Sequence, residues 1–140
     1  MYASKQEMID RFGQSELIRL TDRATPPAGV IDDAVLNAAL LDADQVIDSF
    51  LQVRYALPLS SVPSLLKQVA RDLARYFLYD DMPPEHVEAR YRDAMKTLER
   101  IASGQQKLGL DEVGKTTSES NLPEVSGPVR VFGRDAMKEF

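Results

Sequence analysis

The sequence contains no cysteine and no tryptophan, and it has a single histidine, His86. The absence of cysteine excludes disulfides, thiol catalysis and metal sites built from thiolates. His86 lies in the first turn of a predicted helix, and one histidine alone does not make a metal site. We therefore expect a solvated or capping role for it.

Long apolar runs are also missing, since no stretch approaches the ~20 residues that a membrane span needs. The polar, helical pattern of Met1–Arg11 predicts no export signal. Positive charge is scarce, because 17 Lys and Arg stand against 22 Asp and Glu, giving a net charge of −5. This balance argues against a protein that wraps nucleic acid. It is compatible with a surface past which DNA slides without binding. We predict synthesis in a cytoplasm and no membrane partner.

The longest regular pattern predicts one helix from about Ile31 to Leu57. Apolar residues recur there in steps of three and four, which gives the helix a broad apolar face. Such a face is wider than a surface helix needs, so we expect contacts on more than one side. Asp32 and Asp33 would lie in the first turn, where negative charge is favoured. Pro58 would end the helix.

Four other helical patterns flank this long one. Ser4 and Glu7 fit a capping box, which predicts a short helix that Gly13 ends. The remaining predicted helices cover about Gln14–Leu20, Pro63–Tyr79 and Pro84–Ser103. Together these patterns predict an all-α fold for residues 1–104, a small antiparallel helical bundle with one long central helix.

Side chains on the predicted helices suggest two further features. Asp72 precedes Arg75 by three residues and Glu88 precedes Arg92 by four, spacings that predict exposed ion pairs worth a few tenths of a kcal/mol. Tyrosines beside core positions predict packing, and these are Tyr55, Tyr76, Tyr79 and Tyr91.

Residues 105–140 lose the helical period and gain glycine, proline, serine and threonine. This composition predicts an extended C-terminal arm that does not fold alone. Within it, Val129, Arg130, Val131 and Phe132 alternate like a short strand. The segment is either a disordered tail with chance valines or a piece that orders on another chain. We predict the second and regard these four residues as partner-docking residues.

The stretch Gly109–Thr116 matches the P-loop pattern G-x-x-x-x-G-K-[ST] in full. Its context argues against a phosphate site, because it follows a predicted helix end rather than a buried strand. Asp111 and Glu112 would also place negative charge beside the phosphates. We predict a flexible linker here and keep nucleotide binding as a remote alternative.

Other candidate chemistry is weak. Asp42, Asp44 and Asp48 lack the glycine and the distal glutamate of a calcium loop. We expect them to form a solvated helix face or an acidic lining instead. A helical DNA-binding regulator, with Gln14–Leu20 as its recognition unit, conflicts with the negative charge. We therefore expect no catalytic residue, no cofactor and no metal, and predict that the protein is not an enzyme.

The helical region carries a series of short motifs in a defined order: Tyr2-Ala3, Arg11-Phe12-Gly13, Leu20-Thr21-Asp22, Arg54-Tyr55, Leu57-Pro58-Leu59, Ala70–Tyr76, Arg90-Tyr91 and Ile101-Ala102. The series resembles a small protein family of Mu-like phages and prophages that was first described without a known function. The resemblance covers residues 1–104 and, more weakly, Arg130-Val131-Phe132. The helical layout of this family is similar to that of the head–tail adaptors of long-tailed phages, which are also called head-completion or connector proteins.

This resemblance implies a structural virion protein without catalysis. Adaptor subunits form a ring below the portal, extend the DNA channel and join the capsid to the neck or tail. The implied partners are the portal protein, a downstream neck or tail protein, and further copies of the chain. The ring is expected to follow the portal's twelve-fold symmetry, with DNA passing through it without specific binding. The implied location is the neck of the virion. Another neck or tail-completion role is the alternative.

Overall fold

The computed structural model describes residues 1–112 of the chain. These residues form five α-helices and no strand, which confirms the predicted all-α fold. The helices are α1 (Lys5–Phe12), α2 (Gln14–Thr21), α3 (Asp33–Leu51), α4 (Ser64–Phe77) and α5 (Glu85–Ser103). All five belong to a unit that spans Met1–Leu108. Most of the predicted C-terminal arm lies outside the described residues, so its extended form stays a prediction.

The start of α1 confirms the predicted capping box. The Ser4 hydroxyl accepts a hydrogen bond from the Glu7 backbone N–H at 3.2 Å, and the Glu7 carboxylate accepts one from the Ser4 N–H at 2.9 Å. Two of the orphan amides at the helix N-terminus are thereby satisfied. Gly13 follows the helix with a φ of +93° and separates it from α2.

The long helix α3 begins later than predicted, at Asp33. Asp32 is its N-cap, and its carboxylate accepts hydrogen bonds from the backbone N–H groups of Ala34 and Val35. A carboxylate in this position satisfies orphan donors and also opposes the positive end of the helix dipole.

The end of α3 differs more strongly from the prediction. The helix ends at Leu51 rather than Leu57, so Pro58 does not end it. Arg54 and Tyr55, in the turn that follows, make contacts with other parts of the fold instead of continuing the helix. The Arg54 guanidinium donates to the last carbonyls of α5, and Tyr55 is only 2% exposed. These tertiary contacts explain why the chain leaves the helical path before the proline.

The core lies between α3, α4 and α5, each of which packs on the other two. Its largest buried aliphatic side chains are Leu36, Leu40, Ile47, Leu51, Leu66, Leu73, Val87, Leu98 and Ile101. Burial of one such side chain stabilises a fold by roughly 1.5–3 kcal/mol. The row predicted on α3 with steps of three and four is therefore the row that enters the core.

Two prolines precede the last two helices. Pro63 and Pro84 are the N-cap residues of α4 and α5, one position before the place predicted for them. Gly104 ends α5 with a φ of +87°, in the left-handed region that favours glycine. Within residues 1–112, no helix combines the length and apolarity that a membrane span needs.

Candidate interaction surfaces

The predicted docking residues Val129, Arg130, Val131 and Phe132 lie outside the described residues, so their role stays a prediction. The P-loop-like stretch is described only from Gly109 to Glu112, and α5 rather than a strand precedes it. His86 is exposed at the start of α5. In the described part of the chain, no group of three or more His, Asp or Glu residues could hold a metal ion.

The first surface forms where the N-terminus meets α3. The backbone N–H of Tyr2 donates to Asp44 Oδ1 at 2.9 Å, and the phenol O–H of Tyr2 donates to Asp48 Oδ1. The two aspartates lie one turn apart on α3, so that a single residue can contact both. Burial, the hydrogen bond to Asp48 and the charges of both carboxylates raise the pKa of Tyr2 well above its ordinary value.

These contacts border a groove of about 520 Å³. Asp44, Asp48 and Tyr2 form its polar wall, and Leu57, Pro58 and Val62 from the α3–α4 connector contribute apolar wall. We call this the acidic groove. It combines negative charge with apolar surface, which suits a partner group that carries a cation on an apolar stem.

The helix behind the acidic groove is acidic throughout. The charged residues of α3 are all aspartates, namely Asp33, Asp42, Asp44 and Asp48. Leu41 is 51% exposed and precedes Asp44 by three residues and Asp48 by seven, spacings that place it on the same side of the helix. An exposed apolar residue thus lies on the side of α3 that carries the groove aspartates, and Asp44 and Asp48 form the acidic lining that was one of the two expectations for this region.

The second surface forms around α4, where one predicted ion pair is wrong. Asp72 is only 6% exposed, so it cannot form the predicted surface pair with Arg75. Arg75 instead binds Glu16 of α2 through two hydrogen bonds, from Nε at 2.7 Å and from Nη2 at 3.0 Å. Its guanidinium also lies 4.4 Å from the ring centroid of Phe12. The other predicted pair, Glu88 with Arg92, is confirmed at 3.3 Å.

Asp72 interacts electrostatically with four arginines, in decreasing order Arg90, Arg11, Arg71 and Arg75. Burial raises the pKa of Asp72 and outweighs the attraction of these cations, which acts in the opposite direction. We call the four residues the arginine cluster. All four act on Asp72 and Arg75 also binds Glu16, so among these six side chains four positive charges stand against two negative ones.

Two members of the arginine cluster are exposed, Arg11 on α1 and Arg90 on α5. Among residues 1–112, neither forms an ion pair within 4.0 Å. The Nε of Arg71 is buried and has no hydrogen-bond partner in the described part of the chain. The cluster thus retains donors that a partner could use.

Aromatic side chains connect α4 to α5. The rings of Tyr76 and Tyr91 stack with centroids 3.9 Å apart and an interplanar angle of 13°. Phe77 meets both rings edge-on, at 6.1 and 6.2 Å. The predicted packing of these tyrosines is confirmed, as is that of the buried Tyr55. All three rings of the group are half-buried, so they also contribute apolar surface.

One carboxylate binds several backbone amides of the exposed loop between α2 and α3. Asp22 accepts hydrogen bonds from the backbone N–H groups of Gly29, Ala28 and Ala24, at 2.7, 3.2 and 3.4 Å. These bonds, that from Gly29 foremost, lower the pKa of Asp22. Arg23, the next residue of the loop, also contacts the carbonyl of Leu78 and the carboxylate of Asp80, so Asp22 orders the loop together with this arginine.

Sequence reasoning anticipated the acidic side of α3 but missed the groove and the arginine cluster, because these depend on residues that are distant in the chain. Tyr2 and Asp48 are 46 positions apart, and Glu16 and Arg75 are 59 positions apart. One signal was available in each case. The charges of α3 are of one sign, and those of α4 are mostly of the other.

One family model and two known proteins match the chain over most of its length. The family model described as Bacteriophage Mu, Gp36 matches residues 2–126. The chain is 34% identical over 140 residues to the Mu-like prophage FluMu protein gp36 of Haemophilus influenzae, covering 100% of this chain and 98% of that protein. It is 35% identical over 134 residues to Gene product J of Escherichia phage Mu, covering 95% and 94% of the two chains.

Proposed function

Since the chain belongs to the Bacteriophage Mu Gp36 family, we propose that this phage protein is a head–tail adaptor. Membership confirms the resemblance to Mu-like phages and prophages. In the proposed role, copies of the chain form a ring below the portal that extends the DNA channel. The ring joins the capsid to the neck or tail, and the protein acts by binding rather than by catalysis.

The observation that carries this proposal is the full-length match to two Mu-type phage proteins, combined with a helical body that presents charged surfaces. Both relatives are covered over at least 94% of their length, so the proposal concerns the chain as a whole. The described surfaces, the acidic groove and the arginine cluster, suit contacts with other proteins. Arginine and tyrosine, which occur in them, are the residue types that dominate binding energy at protein interfaces.

The charge of the chain suits the proposed conduit. A net charge of −5 gives DNA no broad cationic surface to hold. The aspartates of α3 would repel the phosphate backbone wherever they face a channel. DNA would then pass without specific binding.

Disruption of the gene in the encoding phage or prophage tests the proposed role. An adaptor is needed after packaging, so we expect DNA-filled heads and free tails that do not join in electron micrographs of the lysate. The gene supplied from a plasmid should restore joined particles. Normal virions without the protein would contradict the proposal, and heads joined to incomplete tails would indicate the tail-completion alternative.

The predicted docking residues Val129–Phe132 extend the proposal to the C-terminal arm. We propose that they contact the portal, with Phe132 as the apolar anchor. Deletion of Pro128–Phe140 should prevent assembly of joined virions, and Phe132→Ala should weaken it. Phe140→Ala, at the last residue, is the matched control. Intact assembly after the deletion would show that the arm has no such role.

A further inference from the structure

We propose that the acidic groove of one copy receives the arginine cluster of a neighbouring copy. The inference rests on the proposed function, because it names the two surfaces through which copies would associate in the ring. Contact between two different surfaces of the same chain is heterologous, and repeated around an axis it closes into a ring. The proposed partner is thus a second copy of this chain.

Charge complementarity is the first argument for this pairing. Asp44 and Asp48 supply the negative charge of the polar wall of the acidic groove, and α3 carries no positive charge. The four arginines of the cluster act electrostatically on Asp72, and Arg75 binds Glu16, so four positive charges stand against two negative ones. A chain with a net charge of −5 therefore has a local positive surface that matches its own negative groove.

The free donors and acceptors also match. Tyr2 donates to Oδ1 of Asp44 and to Oδ1 of Asp48, which leaves an Oδ2 atom on each carboxylate beyond these two bonds. Arginine presents five N–H donors in a planar fork that suits carboxylates. Arg11 and Arg90 are exposed and, within residues 1–112, form no ion pair.

The size and apolar character of the groove fit an arginine side chain with its neighbours. Its volume of about 520 Å³ is comparable to that of pockets that bury small molecules. Leu57, Pro58 and Val62 can cover the methylene stem of an arginine. Exposed Leu41, on the same side of α3 as the two aspartates, extends the apolar part of the contact.

Charge reversal on each surface tests the pairing. In the presence of purified portal, Asp48→Lys alone and Arg90→Glu alone should each weaken association between copies by about 100-fold, because each places like charges together. An equimolar mixture of the two variants should restore assembly. In the mixture, every groove meets a cluster of opposite charge if the variants alternate, and alternation closes in an even-numbered ring. Sedimentation velocity and native mass spectrometry give the size of the particles.

Matched controls are Asp81→Lys and Lys96→Glu, which change the same charges at exposed positions outside both surfaces. These variants should assemble like the wild type. Circular dichroism establishes that each variant folds. If Arg90→Glu unfolds, Arg11→Glu, at an exposed position of the same cluster, replaces it, and if Asp48→Lys unfolds, Asp44→Lys replaces it in the groove.

The outcomes separate the inference from the function on which it rests. If wild-type copies form a ring on the portal and both reversals leave it intact, the two surfaces do not pair and the adaptor role stands. If the controls weaken assembly as much as the reversals do, or if the mixture fails to restore it, the pairing is also overturned. If the wild type itself does not assemble with the portal, the proposed function fails.

Discussion

At the scale of single residues, the contact between Arg75 and Glu16 links α4 to α2. Their side chains are only 12% and 18% exposed, and the guanidinium forms two hydrogen bonds with the carboxylate. Loss of one member of such a pair leaves the other charge partly buried without its partner. The pair therefore matters more to stability than the ion pairs on the open surface do.

Glu16→Ala should lower the free energy of unfolding by about 2 kcal/mol, below the 3–5 kcal/mol of a fully buried pair because some solvent screens it. Glu88→Ala is the matched control, since Glu88 and Arg92 are 47% and 57% exposed. It should cost no more than about 0.5 kcal/mol. Urea unfolding followed by circular dichroism measures both, and equal losses would contradict the assigned role of Glu16.

Gly104 is required for two reasons at the end of α5. Its φ is +87°, and a Cβ atom there would lie 2.7 Å from the Arg54 guanidinium carbon. Gly104→Ala should cost roughly 2–3 kcal/mol, the sum of backbone strain and the weakened hydrogen bonds from Arg54 to Ala102 and Ser103. Thermal or urea unfolding measures the loss.

Gly29→Ala separates the two causes. Gly29 has a φ of +77° with no atom within 4 Å of the added Cβ, so only strain remains, at about 1–2 kcal/mol. The difference between the two variants should vanish when Arg54→Ala is introduced into both. A difference that persists without the guanidinium would refute the contribution of Arg54.

At the scale of elements, the loop between α2 and α3 depends on the ionised form of Asp22. Because folding lowers the pKa of Asp22, its carboxylate contributes stability at any pH above the ordinary pKa of 3.8. This contribution is lost as the pH falls through the lower pKa of the folded state. Loop order should therefore be constant near neutral pH and decrease in acid.

Asp22→Ala should accelerate hydrogen exchange at the Ala28 and Gly29 amides, because these amides donate to its carboxylate. Exchange measured by mass spectrometry, corrected for intrinsic rates at each pH, tests this. The exposed Asp81→Ala is the control and should leave the loop unchanged. Unaltered exchange in Asp22→Ala would mean that other contacts order the loop.

The helices also show which parts of the fold could be predicted from the sequence. The α1 capping box and the apolar row of α3 depend on residues within a turn or two, and both were predicted correctly. The end of α3 was not, because Arg54 binds carbonyls 48 and 49 positions further along the chain. Asp72 was placed on the surface because its spacing from Arg75 suggested an exposed ion pair, yet it lies next to the core residue Leu73 and is buried.

The candidate surfaces were less predictable than the helices. An excess of aspartate on α3 is visible in the sequence, and we expected an acidic lining there. The groove itself requires the N-terminal Tyr2 and the connector between α3 and α4 to meet beside that helix. The arginine cluster likewise draws on three helices. No local sequence pattern predicts such long-range contacts, whereas the family could be inferred from short motifs alone.

At the scale of the whole molecule, the described residues form a packed helical body with charged surfaces. The body has a core between α3, α4 and α5 and presents a negative and a positive surface. The matched relatives are phage and prophage proteins of nearly the same length. An adaptor would use such a body as a building block, with its binding energy spread over contacts to the portal and to neighbouring copies.

The most direct test of the adaptor role is the native mass of the protein, measured by light scattering alone and then with purified portal. We predict a monomer in isolation and a stoichiometric ring of copies on each portal. Bovine serum albumin in place of the portal is the control for nonspecific association. A stable oligomer whose mass does not change when portal is added would contradict the adaptor role and would favour another position in the neck or tail.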